Sequence, residues 1–222
     1  MGGSLRTAIY VDGFNLYYGS LRKTQYKWLD LPCLFDRLLP GRNIAYIRYF
    51  TARVTPRPHD KQAPVRQDAY LHVVRSMPNV TLHEGHFVDR ETLLPQFPFA
   101  YRNAVNPTDP PQNVQVMRSE EKKTDVNIAT WLLVDGYEDM FDEAILVSND
   151  SDLVLPIEMA ITKLGKQVGI INPQKRGKVS RHLEKVAPVL LREINKSAMR
   201  ACQLPDPVIL PNGRKVYKPA SW

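Results

Sequence analysis

Short apolar runs alternate with amphipathic stretches along most of the chain. Leu5 to Val11 has the pattern of a buried strand and ends in Asp12-Gly13, a turn pair. Phe14 to Leu21 has helical spacing, and a second helical piece spans Leu31 to Leu39 until Pro40-Gly41 stops it. Ile44 to Thr51, rich in β-branched and aromatic residues, predicts a second strand. Val65 to Met77 predicts a helix with Val65, Ala69 and Val73 on one face, and Asn79 to Val88 a third strand. Further on, Thr124 to about Val134 predicts a helix whose apolar face carries Ile128, Ala129, Leu132 and Leu133. Glu143 to Ser148 predicts a strand, and Leu153, Ile157, Ala160, Ile161 and Leu164 fall at helical spacing until Gly165. Gln167 to Asn172 predicts another strand, and a last helical region runs to about Arg200.

Two stretches break the alternation. Residues from about Arg90 to Arg118 are proline-dense, which argues against helix or central strand and predicts a surface insertion. Residues Gln203 to Trp222 predict a polar, proline-rich tail that extends over the surface or stays mobile. The expected organisation is one α/β domain over residues 5–195, with the insertion at about 90–118, and a C-terminal extension over 196–222. Strands alternating with helices imply a mostly parallel sheet with helices on both faces.

Composition adds a soluble, cytoplasmic expectation: no apolar run approaches the roughly 18 residues of a membrane span. The N-terminus also lacks the basic-then-apolar layout of a signal peptide. Cys33 and Cys202 lie far apart with no CxxC and are expected as free thiols. A net charge of +7 and a pI near 9.4 suit a polyanionic partner as well as a solvated basic surface.

Against that basic background, the carboxylates stand out by position. In a parallel sheet, ligands bind outside the carboxyl ends of the strands. Asp12 follows the first strand, Asp150 and Asp152 follow the strand ending at Ser148, and Asp125 opens the helix that feeds that strand. Singly, Asp12 suits a turn and Asp125 or Asp150 a helix cap. Together on one edge, four acids repel unless a cation neutralises them, and Mg2+ or Mn2+ is the hard divalent ion that oxygen donors favour. Such an ion in a basic protein suits a phosphodiester substrate. Asn15 and Ser148 are the polar neighbours able to orient an acid, or else to cap backbone groups.

The segments VDGFN (Val11 to Asn15), EKKTDVNIA (Glu121 to Ala129) and ILVSNDSDL (Ile145 to Leu153), in this order, resemble the NYN domain, LabA-like branch, of the PIN-like nuclease superfamily. The resemblance spans roughly residues 5 to 172. It implies a PIN-like (Rossmannoid) three-layer fold and a metal-dependent ribonuclease that leaves a 5′-phosphate. It maps the family's metal-binding acids onto Asp12, Asp125, Asp150 and Asp152, and its polar site residues onto Asn15 and Ser148. The proline-rich segment and the extended C-terminus depart from the family pattern.

RNA is the expected partner, with a second copy of the chain as a further candidate and no membrane. Lys122 and Lys123, and the patch Lys175, Arg176, Lys178 and Arg181, are the candidates to grip an RNA backbone; solvated surface accounts for them nearly as well. His83 and His86 lie three apart on a strand, so their rings point to opposite faces and do not form a metal site. Neither GxxxxGK[ST] nor GxGxxG occurs. The rivals to the ribonuclease are an RNA-binding regulatory module with little turnover and a magnesium-dependent phosphatase. The latter lacks the second Asp two residues after Asp12.

Overall fold

The computed structural model describes residues 4–98, 112–174, 179–186 and 189–222. The chain opens with β1 (Arg6–Asp12), α1 (Gly13–Leu16), a π-helical turn over Tyr17–Leu21, and α2 (Leu31–Leu38). Next come β2 (Asn43–Ala52), α3 (Ala63–Val74), β3 (Val80–Pro95) and β4 (Asn113–Lys122). Then follow α4 (Thr124–Tyr137), β5 (Glu143–Val147), a 3-10 turn over Ser151–Leu153, α5 (Val154–Thr162) and β6 (Gln167–Asn172). The last elements are α6 (Arg181–Val186), β7 (Leu191–Glu193), α7 (Lys196–Ala201), β8 (Val208–Ile209) and β9 (Lys215–Val216).

Among the described residues one sheet has the order β4-β3-β2-β1-β5-β6-β7, and β8 and β9 form a separate hairpin. All neighbours in the large sheet pair in parallel except β3 and β4. The architecture is the expected α/β one, consistent with a PIN-like fold. The chain works outward from β1 on one side and then resumes with β5 on the other. The β1/β5 boundary is therefore the topological switch point, whose carboxyl edge is the usual ligand site.

The period-two pattern of the strands divides the core. Ile9, Val11, Ile47, Tyr49, Ile145 and Val147 face α2, α3 and the tail, while Ala8, Tyr10, Phe50, Ala144 and Leu146 face α4, α5 and α6. Each large apolar side chain fully buried here contributes about 1.5–3 kcal/mol.

Several expectations need correction. The arms of the supposed irregular insertion are strands: β3 and β4 pair from His86↔Lys122 to Pro95↔Asn113, and their ladder satisfies the backbone. The proline-rich stretch at 99–111 lies outside the described residues. Helix α3 buries Tyr70, Leu71, Val73 and Val74, whereas Val65 is 63% exposed, because its first turn stands at the rim of the core. The last helical region is divided by β7, which pairs with β6 at Ile170↔Leu191. The tail is packed: Leu210 and Val216 are buried, and Trp222 lies 6.3 Å from Trp28 and 6.0 Å from Tyr70 between ring centroids. Cys33 and Cys202 form a disulfide, because tail packing carries the end of α7 onto α2 despite 169 residues of separation. None of the described helices is long and apolar enough to cross a membrane.

Candidate functional site

The side chains at the end of β1 and the end of β5 meet. Asp12 is 2% exposed and caps α1: its Oδ1 accepts from the Asn15 backbone N–H at 2.9 Å. Its Oδ2 accepts from Asn15 Nδ2 at 2.6 Å and from Ser148 Oγ at 3.3 Å. Burial pushes the Asp12 carboxyl above its usual range, and these hydrogen bonds oppose that shift. Ser148 Oγ also accepts from the Asp150 N–H at 3.1 Å, so a single hydroxyl links the two acidic segments. Asp150 caps the 3-10 turn, its Oδ1 accepting from the Asp152 N–H at 2.9 Å. Asp152 is exposed in that turn. The capping explanation is thus correct for one oxygen each of Asp12 and Asp150.

Asp125 has no such duty. The cap position of α4 is Lys123, in the left-handed region at φ 82°, and Glu121 does the capping by accepting from Thr124 N at 3.2 Å and Thr124 Oγ1 at 2.6 Å. Among the described residues nothing hydrogen-bonds the Asp125 carboxylate. It is pushed up to about 6, first by burial and then by the charges of Asp12, Asp150, Glu121 and Asp152. The placement follows from the hairpin. Strand β4 returns only to the level of His86, one residue past the Ala52↔Gly85 pair that ends β2, so α4 starts on the carboxyl edge. Gly85 permits this, since a Cβ there would sit 2.5 Å from the Lys122 carbonyl oxygen.

The structure therefore brings Asp12, Asn15, Ser148 and Asp150 into one hydrogen-bonded group, with Asp125 close enough to feel the charges of Asp12, Asp150 and Asp152. Among the described residues no three His, Cys, Asp or Glu side chains converge into a ready-made metal cage. The edge is open.

Three of the six basic candidates lie within the described residues. Lys122 pairs with Glu120 at 2.9 Å, Lys123 and Arg181 are exposed, and Lys175, Arg176 and Lys178 lie outside the described residues. His83 stacks on Phe50 with centroids 4.7 Å apart and sits 3.2 Å from Arg48, away from His86. Asn149 escaped the sequence reading although it lies inside SNDSD. Its N–H donates to Asn15 Oδ1 at 3.4 Å, and its Oδ1 accepts from Ser180 N at 2.8 Å, tying the site to the segment before α6. Also missed was a cavity of about 190 Å3 on the Gly13 side of Asp12, walled by Phe14, Tyr17, Tyr49, Tyr70, Phe87 and Trp222 among others. Its walls come from remote parts of the chain, so no local motif announced it.

The NYN domain family model matches residues 6–192. The chain is 31% identical, over 242 aligned positions, to 6-hydroxy-3-succinoylpyridine 3-monooxygenase HspA of Pseudomonas putida, covering 98% of this chain and 75% of that protein. A crystal structure of a protein of unknown function from Vibrio parahaemolyticus superposes with a TM-score of 0.53 at 18% identity, covering 88% of this chain and 98% of that one. That likeness concerns the fold.

Proposed function

The chain belongs to the NYN domain family, within the PIN-like nuclease superfamily, and on that premise we propose that it is a metal-dependent ribonuclease. The observation that carries the reading is Asp125: half-buried, without a hydrogen bond or cation among the described residues, and facing the charges of Asp12, Asp150, Glu121 and Asp152. Such a group lacks a compensating positive charge. The donors are all hard oxygens, which suits Mg2+ or Mn2+, and magnesium binds through few carboxylates while keeping waters. Asp12, Asp125, Asp150 and Asp152 would hold the ion. Bound there, it would supply Lewis-acid stabilisation of phosphoryl oxygens and a lowered water pKa. Asn15 and Ser148 hold Asp12 in a fixed orientation, and Lys123 and Arg181 offer exposed charge to an RNA backbone. The test is cleavage of single-stranded and structured RNA with and without Mn2+, comparing the wild type with Asp12→Asn and Asp150→Asn. Equal activity in all three excludes this edge as the source.

A second reading is favoured by the Pseudomonas relative, whose name is that of an enzyme acting on a substituted hydroxypyridine. The aromatic cavity beside Asp12 suits a small ring of that kind. Under this reading the chain acts on a small aromatic substrate, and incubation with 6-hydroxy-3-succinoylpyridine, oxygen and a two-electron reductant should consume that compound.

A further inference from the structure

The cavity has the chemistry of a specific receptor. Tyr49, on β2, lines it and is 6% exposed, yet its hydroxyl has no hydrogen-bond partner among the described residues. The hydroxyl is not sealed in the interior but opens onto the cavity, where a ligand or water can reach it. The phenol reaches this position because Gly13 has no side chain: a Cβ there would lie 2.8 Å from Tyr49 Cζ and Oη. The hydroxyl therefore stands between the cavity and the residue next to Asp12.

The walls are aromatic and the rim is cationic. Tyr49 and Tyr70 meet edge-on with centroids 6.5 Å apart, and Tyr70 meets Trp222 at 6.0 Å. Asp60 is the sole acid in the described lining and is paired with Arg66, which leaves Arg22, Lys27 and Arg57 without a carboxylate among the described residues. The Lys27 ammonium is pushed down by burial and by the charges of Arg66 and Lys218, so positive charge is crowded here as negative charge is at Asp125. At about 190 Å3 the space is smaller than the roughly 300–1,000 Å3 of a drug-sized site, which limits the occupant to a single ring with a short chain.

We propose that this cavity binds a free single-ring aromatic acid. The ring packs among Tyr17, Tyr70 and Trp222, a polar ring substituent accepts from Tyr49 Oη, and the anion faces Lys27 and Arg57. The proposal rests on the second reading in taking the ligand to be a small molecule. It goes further by naming the groups that select the ligand.

The probes are 4-hydroxybenzoate, benzoate, phenol and uridine 5′-monophosphate, titrated calorimetrically into the full chain and into Tyr49→Phe and Arg57→Ala. Saturable 4-hydroxybenzoate binding is expected, with phenol at least about tenfold weaker. Tyr49→Phe should weaken 4-hydroxybenzoate about two- to tenfold and leave benzoate unchanged, which also shows that the variant is folded. Arg57→Ala should weaken both acids and spare phenol. Absence of saturation, phenol binding as well as the acid, equal loss of benzoate and 4-hydroxybenzoate in Tyr49→Phe, or tighter binding of the nucleotide would each overturn the proposal. Binding without turnover would leave it standing and remove the second reading. Turnover of 6-hydroxy-3-succinoylpyridine with a KM indifferent to both substitutions would do the reverse.

Discussion

Helix α4 carries a carboxylate near each end, and the two have opposite fates. Asp135, in its last turn, is 1% exposed and fully answered: Arg48 Nε and Nη2 each donate at 2.6 Å, Tyr10 Oη at 2.6 Å and Tyr46 Oη at 3.0 Å. The Arg48 guanidinium carbon in turn lies 4.0 Å from the centroid of the Trp131 ring. His83 completes this layer, its ring pushed down to about 4 by burial and by Arg48, so it adds no second positive charge at neutral pH. Asp125, in the first turn, has no cation among the described residues and four acidic neighbours. The same side chain on the same helix is a structural ion pair in one place and an unanswered charge in the other. Acidity alone does not mark a site. What marks it is charge that the protein leaves uncompensated.

The largest effect should come from breaking the satisfied end. Asp135→Ala leaves the largely enclosed Arg48, its side chain 14% exposed, without its partner, and a loss of about 3–5 kcal/mol is expected in urea unfolding. A loss below about 1 kcal/mol, the range of exposed pairs, would mean that Arg48 swings to water and that the two ends of α4 differ little in charge compensation. At the other end, Asp150→Asn should remove at least the roughly 100-fold of activity that outer partners of a metal site can carry, with little change in the urea midpoint. Asp125→Asn should stabilise the protein at neutral pH. The Asp125 carboxyl is raised from 3.8 to about 6, so the folded state favours its protonated form. Its stabilising contribution is present below pH 3.8 and lost as pH rises through about 6. That shift corresponds to at most about 3 kcal/mol, and screening at this half-open edge reduces the expected gain to about 1 kcal/mol. The gain should be full at about pH 7.5 and shrink toward about pH 5; a gain independent of pH would point to packing instead. The smallest effect is a rise of a few degrees in Tm with excess Mn2+ at about pH 7.5, smaller at about pH 5.5 and lost in Asp125→Asn, where less charge is left to neutralise. An equal rise at both pH values would detach the cation from Asp125.

Much of the fold was legible because its signals are local. Strands β5 and β6 needed little tertiary information: β6 spans the expected Gln167–Asn172, and β5 ends at Val147, one residue short of the expected Ser148, each built on a short apolar run. The acids were legible because Asp12, Asp150 and Asp152 sit at the ends of such runs, and the parallel-sheet rule converts a strand end into a place. The hairpin arms were not, because they are largely exposed on both faces and the prolines between them dominate the composition. The tail misled for a related reason. Leu210 ends an apolar run of only three residues, Val216 and Trp222 stand singly, and all three pack in only against segments far away in the chain, Trp28 and Tyr70 among them.

The sequence by itself determined the alternating elements, the parallel sheet and the acidic strand ends, since each depends on residue order within a few turns. Tertiary structure alone decided which charges are answered. Arg48 reaches Asp135 across 87 positions, whereas no basic side chain among the described residues pairs with Asp125. It also decided that Tyr49, an ordinary strand residue, presents to a cavity walled by Trp222 a hydroxyl unpaired among the described residues. Compensation of charge and enclosure of space depend on distances between remote segments, and the order of residues along the chain does not record them.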